Sequence, residues 1–435
     1  MSLFYTIHHI QPHEYIDEEF HVPQAQKFCE GKIREWDPKI TTPPGLYIVS
    51  LFLLTPYFWL KGILDCNIAN LRLVNVIAST FNFILLLILR LKPFYQKNNN
   101  VIRVLDAASL AAFPILYFFS FLYYTDAVST FFVLAMYTLH LFDRNFHSAA
   151  AGLVAICIRQ TNIIWVAYCA ILKGYTTLIE ILKSKRTIVR RKSPLTLIWE
   201  GLHSPQIIVF VLSKTIWHIL VGVLFIAFVA WNGSIVLGDK TAHEATFHLP
   251  QIFYFLVCVA LFTPLHFVNY FPTFMQKIKK KKVQTLILLI ISLMAVHLNT
   301  LAHPYLLADN RHYTFYIWKR IFESNAWARY ALCPLYIYCL YCVNDSLKLQ
   351  GLVTPMVKFA LALCVSATLI PQRLLEPRYF ILPYLMVKMN FANRGDRYGI
   401  FVTTDLYVAI LVNIVTIYIY CACPFAKDSC VRFIW

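Results

Sequence analysis

The stretch KIKKKKVQTLILLIISLMAVHLNTLAHPYLLADNRHY, residues 277–313, decides the fold class of this chain. It begins with lysines and no acidic residue, continues with an apolar run at 284–302, and ends in an ionisable cluster at 303–313. An apolar run of about 20 residues is long enough to cross a bilayer as a helix. Lysine-rich connections stay on the cytosolic side of a membrane. Charged groups at a membrane boundary cost free energy unless they are paired or used, so 303–313 is a candidate functional site.

The composition of the whole chain indicates a membrane protein. Of its 435 residues, 59% are hydrophobic and 14% are charged, and the mean hydropathy is +0.59. Soluble domains carry roughly 25% charged residues. The formal net charge of +17 comes from basic residues concentrated between apolar runs. With no zinc-finger or aromatic RNA-binding signature, this pattern argues against nucleic acid as a partner.

Neither a metal nor a cofactor is predicted. The chain has twelve cysteines, most of them inside apolar runs, as Cys169, Cys258 and Cys364 are. Scattered apolar cysteines are typical of buried free thiols. Cys421 and Cys423 are too closely spaced, in too apolar a context, for a convincing metal site. The step from His243 to His248 has no second ligand pair and is also a weak metal signal.

The apolar runs predict an all-α polytopic membrane protein, with residues 1–435 as a single domain. Runs long enough to span lie near 71–90, 104–122, 208–231, 250–271, 284–302, 327–343, 354–370 and 405–422. Shorter runs lie at 46–64, 126–142, 149–158, 163–172 and 379–390. Together they predict about 11–13 transmembrane or partially spanning helices.

The charges between the runs predict two sides. The basic loops 173–206 and 272–283 are expected on the cytosolic side. The loops expected on the opposite, exoplasmic side are 15–43, 232–249 and 303–326, with the turns at 123–126 and 159–162. This assignment requires that 46–64, which contains Pro56, Trp59 and Lys61, does not fully cross and is interfacial or re-entrant. Every acidic or histidine-rich cluster then lies on one side, as a single active site requires.

Seven sequence strings in fixed order carry a resemblance to a known family. They are DEEFHVPQAQKFCEG (17–31), WDPKITTPPGLY (36–47), YYTD (123–126), RQTNIIW (159–165), GDKTAHEATFHLPQIFYF (238–255), LLADNRHYTFYIWKR (306–320) and EPRYFILPY (376–384). On these strings the chain resembles the endoplasmic-reticulum α-1,2-glucosyltransferases that use dolichyl phosphate glucose. Those enzymes add the last glucose to the lipid-linked N-glycan precursor.

The resemblance implies a multi-pass glycosyltransferase of the GT-C type in the endoplasmic reticulum membrane, with active-site loops in the lumen. The implied reaction is inverting and metal-independent. Its implied partners are the dolichyl phosphate glucose donor, a dolichyl-diphosphate-linked oligosaccharide acceptor and membrane lipid. In that family a first transmembrane helix precedes the acidic loop. Only residues 1–14 precede it here, so we expect this chain to lack that helix. A transporter and a non-catalytic membrane regulator sharing the fold are the alternatives.

Transfer from a polyprenyl phosphate sugar needs a carboxylate to take the proton of the acceptor hydroxyl. By resemblance to the acidic first-loop motif, Asp17 is the predicted base and Glu18 is the alternative. The non-catalytic alternative is that Asp17 caps a helix that follows it. The leaving phosphate needs cations or hydrogen-bond donors. The candidates for that role are Arg311, His312 and Arg378.

The remaining candidates are polar groups of the same predicted side, and we expect them to bind substrate. His21 and Gln24 share a helical face with Asp17, and Trp36 with Asp37 resembles a sugar platform. Asp309 is expected to hold Arg311 or to bind sugar hydroxyls. The full set of substrate-binding candidates is His21, Gln24, Trp36, Asp37, Asp126, Arg159, Gln160, Asp239, Lys240, His243, His248, Asp309, Asn310, Tyr313 and Glu376.

Overall fold

The structure, a computed structural model, describes residues 1–61, 65–91, 99–184, 193–240, 245–325, 327–347, 353–392, 397–424 and 431–435. Within these ranges the chain is helical. The α-helices are α1 Ser2–Ile10, α2 Glu18–Cys29, α3 Gly45–Lys61, α4 Ile68–Leu91, α5 Asn100–Ala111, α6 Pro114–Phe119, α7 Thr125–Leu141, α8 Asn145–Ile158, α9 Ile163–Ser184, α10 Pro194–Leu202, α11 Pro205–Asn232, α12 Pro250–Phe262, α13 Pro264–Lys280, α14 Lys282–Asn299, α15 Pro304–Ala308, α16 Tyr313–Ile317, α17 Ala328–Ala331, α18 Cys333–Ser346, α19 Val353–Leu369, α20 Ile381–Met389 and α21 Tyr398–Ala422. Short 3-10 helices cover Gln160–Asn162 and Pro377–Phe380, and a π-helix covers Trp318–Glu323.

The prediction of an all-α polytopic membrane protein is confirmed. Among the described residues, five single helices are long and apolar enough to cross a membrane, and a bent pair can act as a sixth span. The five are Ile68–Leu91, Gln160–Lys183, Pro205–Asn232, Lys282–Asn299 and Tyr398–Ala422. Three shorter apolar helices, Gly45–Pro56, Asn145–Ile158 and Pro355–Leu369, accompany them. Every predicted apolar run falls on one or more helices of the structure.

Two of the predicted continuous spans are broken by proline. The run at 104–122 divides into α5 and α6, and Pro114 begins the second helix. The run at 250–271 divides at Thr263, where α12 and α13 meet at an angle of 109°. Proline has no N–H to donate, and it disfavours helical backbone in the residue before it. Both breaks therefore follow directly from the proline positions.

The predicted basic loops are mostly helical. In the 272–283 segment, α13 continues to Lys280 and α14 begins at Lys282, so only Lys281 forms the corner. In the 173–206 segment, α9 continues to Ser184 and α10 covers Pro194–Leu202. Lysine is a good helix former, and positive charge is favourable in the last turn of a helix. A run of lysines is therefore compatible with a continuing helix.

The polar connections gather at two ends of the helical bundle. At one end, the Leu237 N–H donates to the Thr41 carbonyl (3.2 Å) and the Thr246 N–H donates to the Pro371 carbonyl (3.1 Å). At the other end, Arg90 pairs with Asp106 (2.8 Å), close to the last turn of α20. Helix α4 connects the two ends, with Arg72 in its first turns and Arg90 in its last. We call the first of these the site end.

Helix α3 begins at the site end, and the chain after it returns there. Gly45 lies so close to α8 that a Cβ atom would be 2.3 Å from the Cys157 carbonyl oxygen, so only glycine fits. Twenty-one residues later, Cys66 forms a disulfide with Cys29 of α2. The expectation of buried free thiols concerned the cysteines of the apolar runs, and this disulfide joins two cysteines outside those runs. Residues 62–64 of the predicted segment 46–64 lie outside the described residues.

Candidate active site

Asp17 lies at the N-terminus of α2, and its carboxylate points away from that helix. Its side chain makes no capping hydrogen bond, and instead its Oδ2 pairs with a terminal nitrogen of Arg378 (2.8 Å). The Asp17 N–H donates to the Tyr124 hydroxyl (3.2 Å), which itself donates to the Tyr15 carbonyl (3.2 Å). Between them, Ile16 has φ +55°, a left-handed conformation that is strained for a β-branched residue. Such strain concentrates at functional sites.

Arg378 is the centre of a cluster of charged side chains. Its guanidinium contacts the Glu376 carboxylate and lies 3.7 Å from the Asp126 carboxylate. Asp126 in turn accepts a hydrogen bond from Arg159 (2.8 Å). The Arg378 guanidinium also stacks over the rings of Tyr124 (4.9 Å) and Phe119 (5.2 Å). Asp17, Asp126, Glu376, Arg159 and Arg378 thus come from four separate segments of the chain.

The cluster keeps Asp17 ionised and His21 neutral. Burial acts to raise the pKa of Asp17, but the charge of Arg378, with help from His21 and the hydrogen bond, outweighs it, and the pKa falls below its usual value. Burial lowers the pKa of His21 to about 4, against the opposing effect of Asp17. His21 Nδ1 contacts the Tyr47 hydroxyl (2.7 Å). At neutral pH, Asp17 is therefore a carboxylate able to accept a proton.

A cavity of about 160 Å³ opens beside this cluster. Its polar wall is made by Asp17, Tyr124, Asp309, His312, Glu376 and Arg378. Its apolar wall includes Ile16, Phe119, Leu306 and Ile434. The first acidic loop, the 303–313 cluster and the Glu376–Arg378 segment therefore meet in one cavity, as a single active site requires.

Glu18 has the opposite environment to its neighbour Asp17. It is fully buried and forms a two-point ion pair with Arg72, at 2.8 Å and 2.6 Å. Its carboxylate also accepts the N–H groups of Tyr123 (2.6 Å) and Tyr15 (3.1 Å). Arg72 donates further to the Gln11 and His13 carbonyls. Both Glu18 oxygens thus accept hydrogen bonds. Their donors fix the chain just before Asp17 and the turn that contains Tyr123.

The 303–313 cluster divides into an ion pair and a histidine of the cavity wall. Arg311 makes a two-point pair with Asp309, at 2.8 Å and 2.7 Å, and lies over the Tyr15 ring (5.7 Å). Among Asp309, Arg311 and His312, the cavity is lined by Asp309 and His312. Nε2 of His312 is 3.7 Å from the Asp309 carboxylate. Of the three candidates for binding the donor phosphate, Arg378 and His312 therefore face the cavity and Arg311 does not.

Side-chain hydrogen bonds of the candidate residues hold the first acidic loop, residues 15–43, in its conformation. The Gln24 side chain donates to the Glu35 carbonyl (2.7 Å) and accepts the Asp37 N–H (3.0 Å). The Trp36 indole donates to the Ile40 carbonyl (3.2 Å). Gln24 therefore faces this loop, whereas His21 contacts Tyr47.

The remaining candidates lie at the site end outside the cavity wall. The Gln160 side chain donates to the Thr41 carbonyl, the Asp239 N–H donates to the Pro38 carbonyl, and Lys240 donates to the Asn232 carbonyl. His248 is fully buried against the Gln372 carbonyl. Tyr313 stacks on Phe433, and Asn310 is exposed. His243 lies outside the described residues.

Several residues of the site carried signals that the sequence reasoning did not use. Arg72 is a charge inside a predicted span, which membrane energetics permits only with a partner or a function. Tyr124 belongs to the YYTD string but had no predicted role. Residues 431–435, far away in sequence, gave no signal of their contact with the cavity. Within the described ranges, no group of three or more His, Cys, Asp or Glu is arranged to hold a metal ion.

A helical membrane protein with carboxylates and guanidinium groups around a cavity at one end of its helices has the layout of a membrane-embedded enzyme that acts at the membrane surface. Residues 11–389 match the DIE2/ALG10 family, and the chain belongs to that family. Three relatives carry the name Dol-P-Glc:Glc(2)Man(9)GlcNAc(2)-PP-Dol alpha-1,2-glucosyltransferase. The mouse protein is 38% identical (97% of this chain, 93% of the relative), a human protein is 37% identical (97% and 93%), and the Arabidopsis thaliana protein is 33% identical (99% and 96%). No solved structure matches the chain.

Proposed function

We propose that this protein transfers glucose from dolichyl phosphate glucose to a dolichyl-diphosphate-linked oligosaccharide and forms its terminal α-1,2 linkage. The observation that carries the proposal is the ionised Asp17 beside Arg378 in a cavity, within a chain 38% identical to a named α-1,2-glucosyltransferase. Family membership favours this function over the transporter and regulator alternatives.

In the proposed reaction, Asp17 is the base. The acceptor hydroxyl attacks the anomeric carbon of glucose, the bond from that carbon to the phosphate oxygen breaks, and the hydroxyl proton passes to the Asp17 carboxylate. The low pKa of Asp17 suits a late proton transfer, because the hydroxyl becomes strongly acidic only as its new bond forms. A single displacement inverts the anomeric carbon, so a β-linked donor yields an α-linked product.

The donor phosphate is proposed to bind between Arg378 and His312. Both line the cavity, and a guanidinium can share its N–H groups between Asp17 and a phosphate oxygen. The phosphate leaves as an anion and needs no proton from the protein, only positive charge and hydrogen-bond donors. The carboxylates of Asp126 and Glu376 fix the Arg378 guanidinium and place negative charge near the oxocarbenium-like sugar.

We also propose that the site end faces the lumen of the endoplasmic reticulum. Lysines cluster at the α13–α14 corner, away from the site end, and lysine-rich connections stay cytosolic. The Cys29–Cys66 disulfide lies at the site end, and disulfides persist in oxidising compartments such as that lumen.

Purified protein in lipid tests the proposed activity. We expect glucose transfer to the lipid-linked acceptor from dolichyl phosphate glucose, and none from dolichyl phosphate mannose or a nucleotide-activated glucose. Transfer from the nucleotide sugar alone would overturn the proposal, as would a complete lack of transfer by protein that retains its folded secondary structure. The Asp17→Asn variant serves as the control for contaminating activity.

A further inference from the structure

The chain near its C-terminal end forms part of the cavity wall. The Ile434 N–H donates to the Arg311 carbonyl (3.0 Å) and the Tyr313 N–H donates to the Ile434 carbonyl (3.1 Å), so this segment pairs with the 303–313 cluster in a short parallel bridge. The Ile434 side chain is buried and lines the cavity beside His312. Residues 432–435 are called the tail segment.

Arg432 fixes the tail segment to the loop that carries Asp17. Its N–H donates to the Tyr15 hydroxyl (2.9 Å), and that hydroxyl donates back to the Arg432 carbonyl. Its guanidinium donates to the Cys421 carbonyl (3.0 Å) in the last turn of α21. Basic side chains often satisfy the final carbonyls of a helix in this way. The tail segment is therefore held both to α21 and to the residue two positions before Asp17.

Trp435 orients the histidine of the cavity wall. Nδ1 of His312 is 2.8 Å from the backbone oxygen of Trp435. That oxygen can only accept a hydrogen bond, so Nδ1 is the donor, and the other ring nitrogen, Nε2, lies 3.7 Å from the Asp309 carboxylate, so both ring nitrogens face acceptor oxygens. A hydrogen bond to one ring nitrogen fixes the orientation in which the other acts.

We infer that the tail segment is part of the transfer site, where Ile434 forms the wall against the donor and Trp435 positions His312 for the donor phosphate. This inference rests on the proposed function. It assigns the tail segment to donor binding, because the Trp435 backbone oxygen contacts His312, one of the two residues proposed to bind the donor phosphate.

Ile434→Pro tests the inference, because it removes the N–H that pairs with Arg311 and disrupts the bridge. We expect the KM for dolichyl phosphate glucose to rise about tenfold, with the acceptor KM within about twofold of wild type. Ile434→Val should restore the donor KM. The matched control is Tyr418→Ala, an exposed side chain on α21 that contacts neither the cavity nor the tail segment's bridge.

A wild-type donor KM in folded Ile434→Pro would overturn the inference, and so would an equal rise in both KM values. If Ile434→Pro does not fold, Ile434→Ser keeps the backbone hydrogen bonds and replaces only the side chain of the cavity wall, so it provides the same test with the same two outcomes. Absence of transfer by the wild-type protein would instead contradict the proposed function, which keeps the two failures distinct.

Discussion

Asp17 and Glu18 are adjacent in sequence, but their environments suit them to different roles. Asp17 lines the cavity and has one guanidinium partner, whereas Glu18 is buried among four donor contacts. A base must reach its substrate and have room for a proton. An internal ion pair that loses one partner leaves an uncompensated buried charge. The two residues should therefore fail in different ways when they are changed.

Asp17→Asn should lower kcat by about 10²–10⁴-fold and leave the melting temperature close to wild type, because it removes the proton acceptor and keeps the side-chain shape. Glu18→Gln is the paired control. It should reduce the free energy of unfolding by about 3–5 kcal/mol through loss of the Arg72 pair. Turnover and thermal melting of both variants measure this. Near-normal turnover in Asp17→Asn with a severe loss in a stable Glu18→Gln protein would transfer the base role to Glu18.

The donor phosphate should depend on Arg378 more than on Arg311. Arg378 faces the cavity, whereas the Arg311 guanidinium is paired with Asp309 and lies over Tyr15. Lysine keeps the charge but loses the planar fork that matches phosphate oxygens. Arg378→Lys is therefore expected to raise the donor KM about tenfold or more, and Arg311→Lys to raise it less. Steady-state kinetics with varied donor concentration measure the two donor KM values. A larger rise in Arg311→Lys than in Arg378→Lys would show that Arg311 binds the donor phosphate.

His21 should make stability depend on pH in a defined window. Its pKa in the folded protein is about 4, below the ordinary histidine value of 6.5. The unfolded chain therefore binds more protons between these values, and stability falls as pH falls from about 6.5 toward 4, by on the order of 2 kcal/mol. Above pH 6.5 this contribution is constant. Melting temperatures of wild type and His21→Gln across this range measure it, and equal slopes for the two proteins would contradict the account.

At the scale of residues, sequence reasoning identified most of the charged groups of the cavity but not their partners. Asp126, Glu376 and Arg378 stand at the ends of apolar runs, where charge signals function. Arg72 distinguishes Glu18 from Asp17, because it forms an ion pair with Glu18. Glu18 and Arg72 are far apart in sequence. Spacing in sequence carries no information on such a pair.

At the scale of elements, the Cys29–Cys66 disulfide joins α2 to the beginning of α4. It closes a loop whose ends are 37 residues apart, which restricts the unfolded chain. Cys29→Ser with Cys66→Ser is therefore expected to lower stability by about 2–4 kcal/mol. The matched control is Cys157→Ser, a free and exposed cysteine whose loss should be near neutral. Thermal inactivation with and without reductant measures both, and equal losses would show that the disulfide contributes nothing.

Helices were the elements most accessible to prediction, because about twenty apolar residues in a row have few other stable structures in a membrane. Their interruptions were less accessible. Pro114 and Pro264 divide two runs that hydropathy alone treats as continuous. Conversely, the lysines at 277–282 were predicted to form a loop. Four of them instead extend α13 or begin α14, because lysine has a high helix propensity.

For the molecule as a whole, the proposed mechanism requires that all segments of the cavity lie on one side of the membrane. Single cysteines at Lys240 and Asn310, both exposed at the site end, should be protected from an impermeant thiol reagent in sealed microsomes. Cysteines at Ser193 and Lys280 should be labelled without permeabilisation, because lysine-rich connections are expected on the cytosolic side. A Cys157→Ser background removes the free cysteine that is exposed among the described residues, and Cys430, which lies outside them, is replaced by serine as well. Labelling of all four positions from the same side would end this topology.

The joining of distant segments was predictable only in outline. Counting spans and charges places 15–43, 232–249 and 303–326 on one face, and the structure brings parts of all three to the site end. The contacts that shape the cavity, above all between residues 311–313 and the tail segment, connect positions more than a hundred residues apart. No local pattern specifies them.

The configuration and position of the new glycosidic bond provide the sharpest test of the proposed mechanism. Purified protein would be given dolichyl phosphate glucose labelled with carbon-13 at the anomeric carbon, together with the lipid-linked acceptor. Nuclear magnetic resonance of the released glycan would then report both the anomeric configuration and the linked position. A single displacement assisted by Asp17 predicts one new α-glucose joined through a 2-hydroxyl, at a rate reduced about 10²–10⁴-fold in Asp17→Asn. A β-linked glucose, or an α-linked product formed equally well by Asp17→Asn, would contradict the account.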